Sequence, residues 1–175
     1  MRLAVLGSGS RGNSLVVESG SSRLLVDLGF SCRETERRMA LLDVEPDGFD
    51  GIVLTHEHGD HVRGADRFVR RHPAPIYATE GTARETRLRD EAARQVRHLR
   101  SGERRRVGGF EVEPFLIPHD ATEPVGVVIE DESGCRLGLV ADLGSRSRLA
   151  WARLAELDVL VLETNHDLEM LRNGP

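Results

Sequence analysis

Thr55-His56-Glu57-His58-Gly59-Asp60-His61 gathers three histidines and an aspartate within seven residues, directly behind the apolar run Ile52-Val53-Leu54. The stretch Gly51 to Thr55 reads as a buried strand, and the polar residues after it as a strand-to-helix junction. Neutral imidazoles and carboxylates are the donors that zinc and similar divalent ions take, at about 2.0–2.2 Å. Alternate side chains of an extended loop face the same way, so His56 and His58 point together while Asp60 and His61 turn toward a second position. The density of donors therefore points to a metal site.

Outward from this segment, short apolar runs bounded by Gly and Ser predict strands at Arg2 to Leu6, Leu15 to Glu18 and Arg23 to Asp27, consecutive and antiparallel. A helix is expected over Cys32 to Leu42, and helical pattern from Val62 to about Val96, interrupted by Pro73, Pro75 and Ile76-Tyr77-Ala78. Strands resume at Val107 to Ile117, Val125 to Glu130 and Arg136 to Ala141, the last two joined by a turn at Asp131-Glu132-Ser133-Gly134. A helix near Ser147 to Glu156, a strand over Val159 to Glu163 and a helical turn up to Arg172 close the chain. Strands followed by mixed strands and helices suggest sheets covered by helices.

The 175 residues, 39% hydrophobic and 30% charged, suit one globular domain over 1–175. No apolar run reaches the roughly 18–20 residues of a membrane span, so a cytoplasmic protein is expected. The net charge of −5 is uneven: −4 over residues 1–62, +7 over 63–106 and −8 over 107–175. A basic block within an acidic chain is the asymmetry of a protein that meets a polyanion, although solvated helix faces give the same count. Cys32 and Cys135 have no CxxC partner or nearby histidine and read as reduced packing residues. Gly7-Ser8-Gly9-Ser10-Arg11-Gly12 matches GxGxxG, but Asn13-Ser14-Leu15-Val16-Val17 continues into a strand where a dinucleotide site needs a helix. A glycine-rich turn beside an active site is expected instead.

HxHxDH is the signature of the metallo-β-lactamase superfamily, which the chain resembles over its whole length. The resemblance implies an α+β fold, an αββα sandwich, here expected to lack its C-terminal portion. It implies a dinuclear site of His56, His58, Asp60, His61, His119 and Asp142. His119 in Ile117-Pro118-His119-Asp120 matches the histidine that completes the first site, and Asp142 in Val140-Ala141-Asp142 the aspartate that bridges both. Asp27 in Val26-Asp27-Leu28-Gly29 resembles the family's early aspartate, which steadies the histidine loop. The family's C-terminal histidine has no counterpart after His166, so a shortened chain with a weaker second site is expected. Leu6 to Ser14, the HEHGDH segment, Glu163-Thr164-Asn165-His166-Asp167 and Met170-Leu171-Arg172 resemble the YycJ/WalJ-like branch, bacterial proteins implicated as DNA exonucleases.

The expected cofactors are two divalent ions, Zn or Mn with Fe as a further choice, and the expected partner is DNA. Phosphodiester hydrolysis suits two such ions. Asp60 and His166 are the candidate catalytic side chains: Asp60 orients the attacking hydroxide besides its ligand role, and His166 protonates the leaving group or contacts phosphate. Arg104, Arg105 and Arg106 are candidate phosphate contacts. A glyoxalase II-like thioesterase or lactonase uses the same donors, and a non-catalytic metal-binding module needs no more than them.

Overall fold

The structure, a computed structural model, describes residues 1–163 and residue 173. Its strands and helices run β1 (Arg2–Gly7), β2 (Ser14–Ser19), β3 (Ser22–Val26), α1 (Cys32–Ala40), β4 (Gly51–Val53), α2 (Gly59–Val62), α3 (Ala65–Arg71), β5 (Ile76–Ala78), α4 (Glu80–Glu85), α5 (Asp90–Arg94) and β6 (Val96–His98). The second half adds β7 (Arg105–Val107), β8 (Phe110–Leu116), β9 (Val125–Asp131), β10 (Arg136–Val140), α6 (Arg148–Arg153) and β11 (Val159–Leu162). One sheet orders its strands β1-β2-β3-β4-β5-β6 and the other β11-β10-β9-β8-β7.

Period-2 alternation sends neighbouring residues of one strand into different apolar layers. Leu25 and Ile52 face the first sheet's outer side and pack with Met39 of α1 and Phe68 and Val69 of α3. Leu24, Val26 and Val53 face inward and meet Phe110, Val127, Ile129 and Leu137 of the second sheet. The outer side of that second sheet packs Phe115 and Val128 against Ala150 of α6. Helix, sheet, sheet and helix follow in that order, the αββα sandwich that the resemblance implies. No described helix is long and apolar enough to cross a membrane.

The first three strands are antiparallel as expected, whereas β3, β4, β5 and β6 are parallel. Two expectations fail locally. Val107 to Ile117 is not one strand: Gly108-Gly109 turns it into the β7–β8 hairpin, with Val107 opposite Phe110 and Gly108 at φ 58°. A side chain on Gly108 would meet Asp50 Cγ at 2.5 Å, so the turn needs glycine for space as well as for φ. Helical pattern up to Val96 also overreaches, because Val96–His98 is a three-residue parallel edge strand too short to show alternation. The GxGxxG stretch is the β1–β2 turn, and β2 runs antiparallel to β1, which excludes a dinucleotide crossover.

Asp131, at the end of β9, ties the sheets together. Its carboxylate accepts from Ser19 Oγ of β2 at 2.7 Å, and from Ser133 N, Ser133 Oγ and Cys135 N of its own hairpin. The Ser133 and Ser19 hydroxyls, in that order, hold its carboxyl well below the ordinary 3.8. Asp131→Ala should cost about 1–3 kcal/mol at neutral pH, read from a denaturant midpoint. A depressed carboxyl stabilises the fold above its unfolded pKa and loses that contribution as pH falls through its folded value. The gap between the two proteins should therefore shrink in acid below about pH 4.

Candidate metal centre

The parallel ladder stops at Val53, and one side chain takes over its hydrogen bonding. Thr55 N–H donates to Asp27 Oδ1 and Thr55 Oγ1 to Asp27 Oδ2, both at 2.8 Å. Asp27, just beyond β3, is buried and holds φ 60°, a left-handed conformation that non-glycine residues adopt at a cost. The strain is offset by what the carboxylate reaches, since Asp27 Oδ2 also lies 2.8 Å from His61 Nδ1. The histidine loop is pinned on its other side by backbone bonds Asn13 N to Asp60 O and Leu28 N to His61 O, both 2.7 Å. Contact there is so close that a Cβ on Gly29 would sit 1.6 Å from Asp60 O.

His119 follows β8 and completes a triangle. The ring centroids of His56, His58 and His119 are mutually 4.8 Å apart, with planes 75–82° to one another. His119 Nε2 lies 3.1 Å from His58 Nδ1. Asp142, beyond β10 and also left-handed at φ 52°, brings Oδ2 within 2.9 Å of His61 Nε2 and 3.5 Å of His56 Nε2. Among the described residues, His56, His58 and His119 form one set whose ligand atoms lie within 4.8 Å of one another, and His56, His61 and Asp142 form another. Asp60 belongs to neither, although its carboxylate is 3.8 Å from His61 Nε2 and 3.3 Å from Asn13 Nδ2.

The donor atoms suit cations better than hydrogen bonds. With Nδ1–H of His61 donated to Asp27, its Nε2 faces the Asp142 carboxylate and keeps a proton there until a cation replaces it. His56 Nε2 and Asp142 Oδ2 are buried without a hydrogen-bond partner. Such atoms cost free energy unless something positive sits between them. Burial pushes His56 down to about 4, helped by the nearby His61. Burial also opposes charge on His61, but Asp27 and Asp142 outweigh it and push the imidazole up to about 10. The His61 imidazole in turn holds Asp142 at about 2, against desolvation.

Asn13 was given no role at the site, yet its Nδ2 lies 2.9 Å from His61 Nε2 while its Oδ1 accepts from Gly9 N at 2.8 Å. Glu57 Oε1 accepts from Thr122 N at 2.6 Å, joining the histidine loop to the loop before β9. His166 lies outside the described residues. Arg104, Arg105 and Arg106 are all exposed, but Arg104 pairs with Glu113 and Glu130 and Arg106 with Glu132. Among the described residues, Arg105 makes no ion pair within 4 Å, like Arg87 and Arg97 of the same basic segment.

Residues 22–174 match the family described as beta-lactamase superfamily domain. The chain is 35% identical to exodeoxyribonuclease YycJ of Bacillus anthracis, over 99% of this chain and 66% of that protein. It is 30% identical to exodeoxyribonuclease WalJ of Streptococcus pneumoniae, over 99% of this chain and 65% of that protein. It thus spans about two thirds of the length of these relatives. In fold it is similar to Zn(2+)-bound PqqB of Methylobacterium extorquens, with TM-score 0.78 and 19% identity over 98% of this chain and 76% of that one.

Two outcomes follow from the geometry. His58→Ala should abolish binding at the imidazole triangle, read as lost metal content after gel filtration, and undiminished content would remove the triangle from consideration. A cation and a proton also compete for His61 Nε2, which Asp27 and Asp142 hold protonated at neutral pH, so affinity there should rise with pH above neutrality, by up to about tenfold per unit. Calorimetry at neutral pH in buffers of different ionisation enthalpy should register about one proton released, and none from His61→Ala.

Proposed function

Because the chain belongs to the beta-lactamase superfamily, we propose that its converging imidazoles and carboxylates serve a metal-dependent hydrolase that cleaves phosphodiester bonds in DNA. The observation that carries this reading is the pair of donor sets sharing His56, with the unpartnered Asp142 Oδ2 between His56 and His61. His56, His58 and His119 would hold one divalent cation, and His61 and Asp142, with Asp60 beside them, the other. Zinc, manganese and iron all suit such donors. Cations held there would lower the pKa of water and offset charge developing on a phosphate.

The chain's own groups divide the remaining work. Asp27 fixes the tautomer and tilt of His61 through Nδ1. Asp60, steadied by Asn13, orients the attacking water and accepts its proton. His166 is assigned protonation of the leaving oxygen or contact with the phosphate. The exonuclease names of the relatives from Bacillus anthracis and Streptococcus pneumoniae support DNA as substrate. So does the +7 segment over 63–106. Strands β4, β5 and β6 are parallel, so Arg100, just beyond β6, stands at the same end of the sandwich as His56.

Salt separates the substrates. Binding of single-stranded DNA should weaken by about 0.7 log units per phosphate contact for each tenfold rise in salt, whereas a small neutral ester should show almost no slope. Changing Arg87, Arg97 and Arg105 together to Glu, which breaks no ion pair among the described residues, should lower DNA affinity and flatten the slope while metal content stays the same. A flat slope in the unmodified chain, or a thioester cleaved much faster than DNA, replaces the nuclease reading with a glyoxalase-like one. Metal bound with no turnover of DNA, thioester or a bis-aryl phosphodiester leaves a binding module.

A further inference from the structure

A second cluster of ligating side chains lies on the outer side of the first sheet, where α1 meets the end of α3. Cys32 and Glu36 are four residues apart on α1 and so share one helix face. His72 follows α3, is buried, and packs its ring 4.9 Å from that of Phe68. Cys32 Sγ lies 3.4 Å from Glu36 Oε1, and His72 Nε2 lies 2.9 Å from the same oxygen. All three ligand atoms fall within 4.8 Å of one another. Bonds of about 2.0–2.3 Å around a tetrahedral zinc put its donors about 3.3–3.8 Å apart, so these side chains need only small shifts to surround an ion. Asp47 supplies what ordinarily accompanies a ligating histidine: its Oδ1 lies 2.7 Å from Nδ1 of His72, which turns the ring so that Nε2 faces Cys32 and Glu36.

We propose that Cys32, Glu36 and His72 form a binding site for a soft divalent cation, zinc by preference, with Asp47 orienting the imidazole and a water filling the fourth position. The sulfur gives it a preference that the main centre, built of nitrogen and oxygen donors, does not have. As the sulfur–cation bond forms, the Cys32 thiol proton passes to solvent. Without a cation the sulfur stays protonated, since burial and then Glu36 push the thiol up to about 11. The competing partner of Glu36 is Arg71, 3.1 Å away on a side chain that is 69% exposed, so it can turn into solvent as the carboxylate engages the ion. The site would staple α1 to α3 and owes nothing to the hydrolytic reading.

Cobalt(II) reports on sulfur ligation through a near-ultraviolet sulfur-to-metal charge-transfer band, which no group of the main centre can give. The whole chain titrated with cobalt should develop this band, and His58→Ala should keep it. Cys32→Ser should lose the band and bind one equivalent less than the unmodified protein. Glu36→Gln, which keeps the native thiol, should weaken the cobalt dependence of the band at least tenfold. Zinc should raise the melting temperature of His58→Ala more than that of His58→Ala/Cys32→Ser. A cobalt-saturated protein with no such band overturns the proposal. So does a band that survives in Cys32→Ser, which would assign it to Cys135.

Discussion

The carboxylate of Asp27 is the hinge on which the site turns. A strand that ends in a buried position leaves backbone donors without partners, and Thr55 is the residue where that happens. Asp27 satisfies the Thr55 amide and hydroxyl together and with its second oxygen reaches His61. One charged group thereby fixes where the chain leaves the sheet and how the imidazole at the far end of the loop is turned. The left-handed backbone of Asp27 is the cost of aiming the carboxylate this way, and the close approach of Gly29 to Asp60 keeps the loop from drifting. An apolar residue at position 27 would leave the buried Thr55 amide without an acceptor and His61 Nδ1 without its carboxylate.

How much of this was legible depended on sequence distance. His56, His58, Asp60 and His61 could be read because they are neighbours in the chain, and His119 and Asp142 because each follows a strand and matches a family pattern. The partner of Asn13 was not readable, since its bond to Asp60 spans 47 positions, and Asp27 was tied to the histidine loop only by the family resemblance, its bonds to Thr55 spanning 28 positions. Cys32 is the reduced, buried residue that the sequence suggests, but the approach of His72 was not readable, since it comes to that helix face only when α1 and α3 settle on the first sheet. Arg104 and Arg106 stood out as free charge in a basic run, but β8, β9 and the β9–β10 turn set acids beside them. The glycine pair at 108–109 was visible as residues, yet its meaning as a hairpin was masked by apolar residues on both sides.

The layers outside the site follow simpler rules. Three apolar slabs account for the sandwich, and their membership follows strand alternation where strands are long enough to alternate. Short elements such as β6 and α2 are held by their neighbours more than by their own propensity, which is typical of segments below the length that sustains a helix or strand alone.

The two donor sets draw on both sheets: His56, His58 and His61 follow a strand of one, His119 and Asp142 follow strands of the other. The centre therefore straddles the packed interface between the sheets. Metal–ligand bonds tolerate deviations of about 0.2 Å, far less than one sheet can shift when a side chain between them changes size. Phe110, Val127 and Leu139, remote from any ligating atom in kind, act as the spacers of a caliper whose jaws are the imidazoles and the Asp142 carboxylate. Substitutions in that slab would tune which ion the jaws accept without touching a single donor.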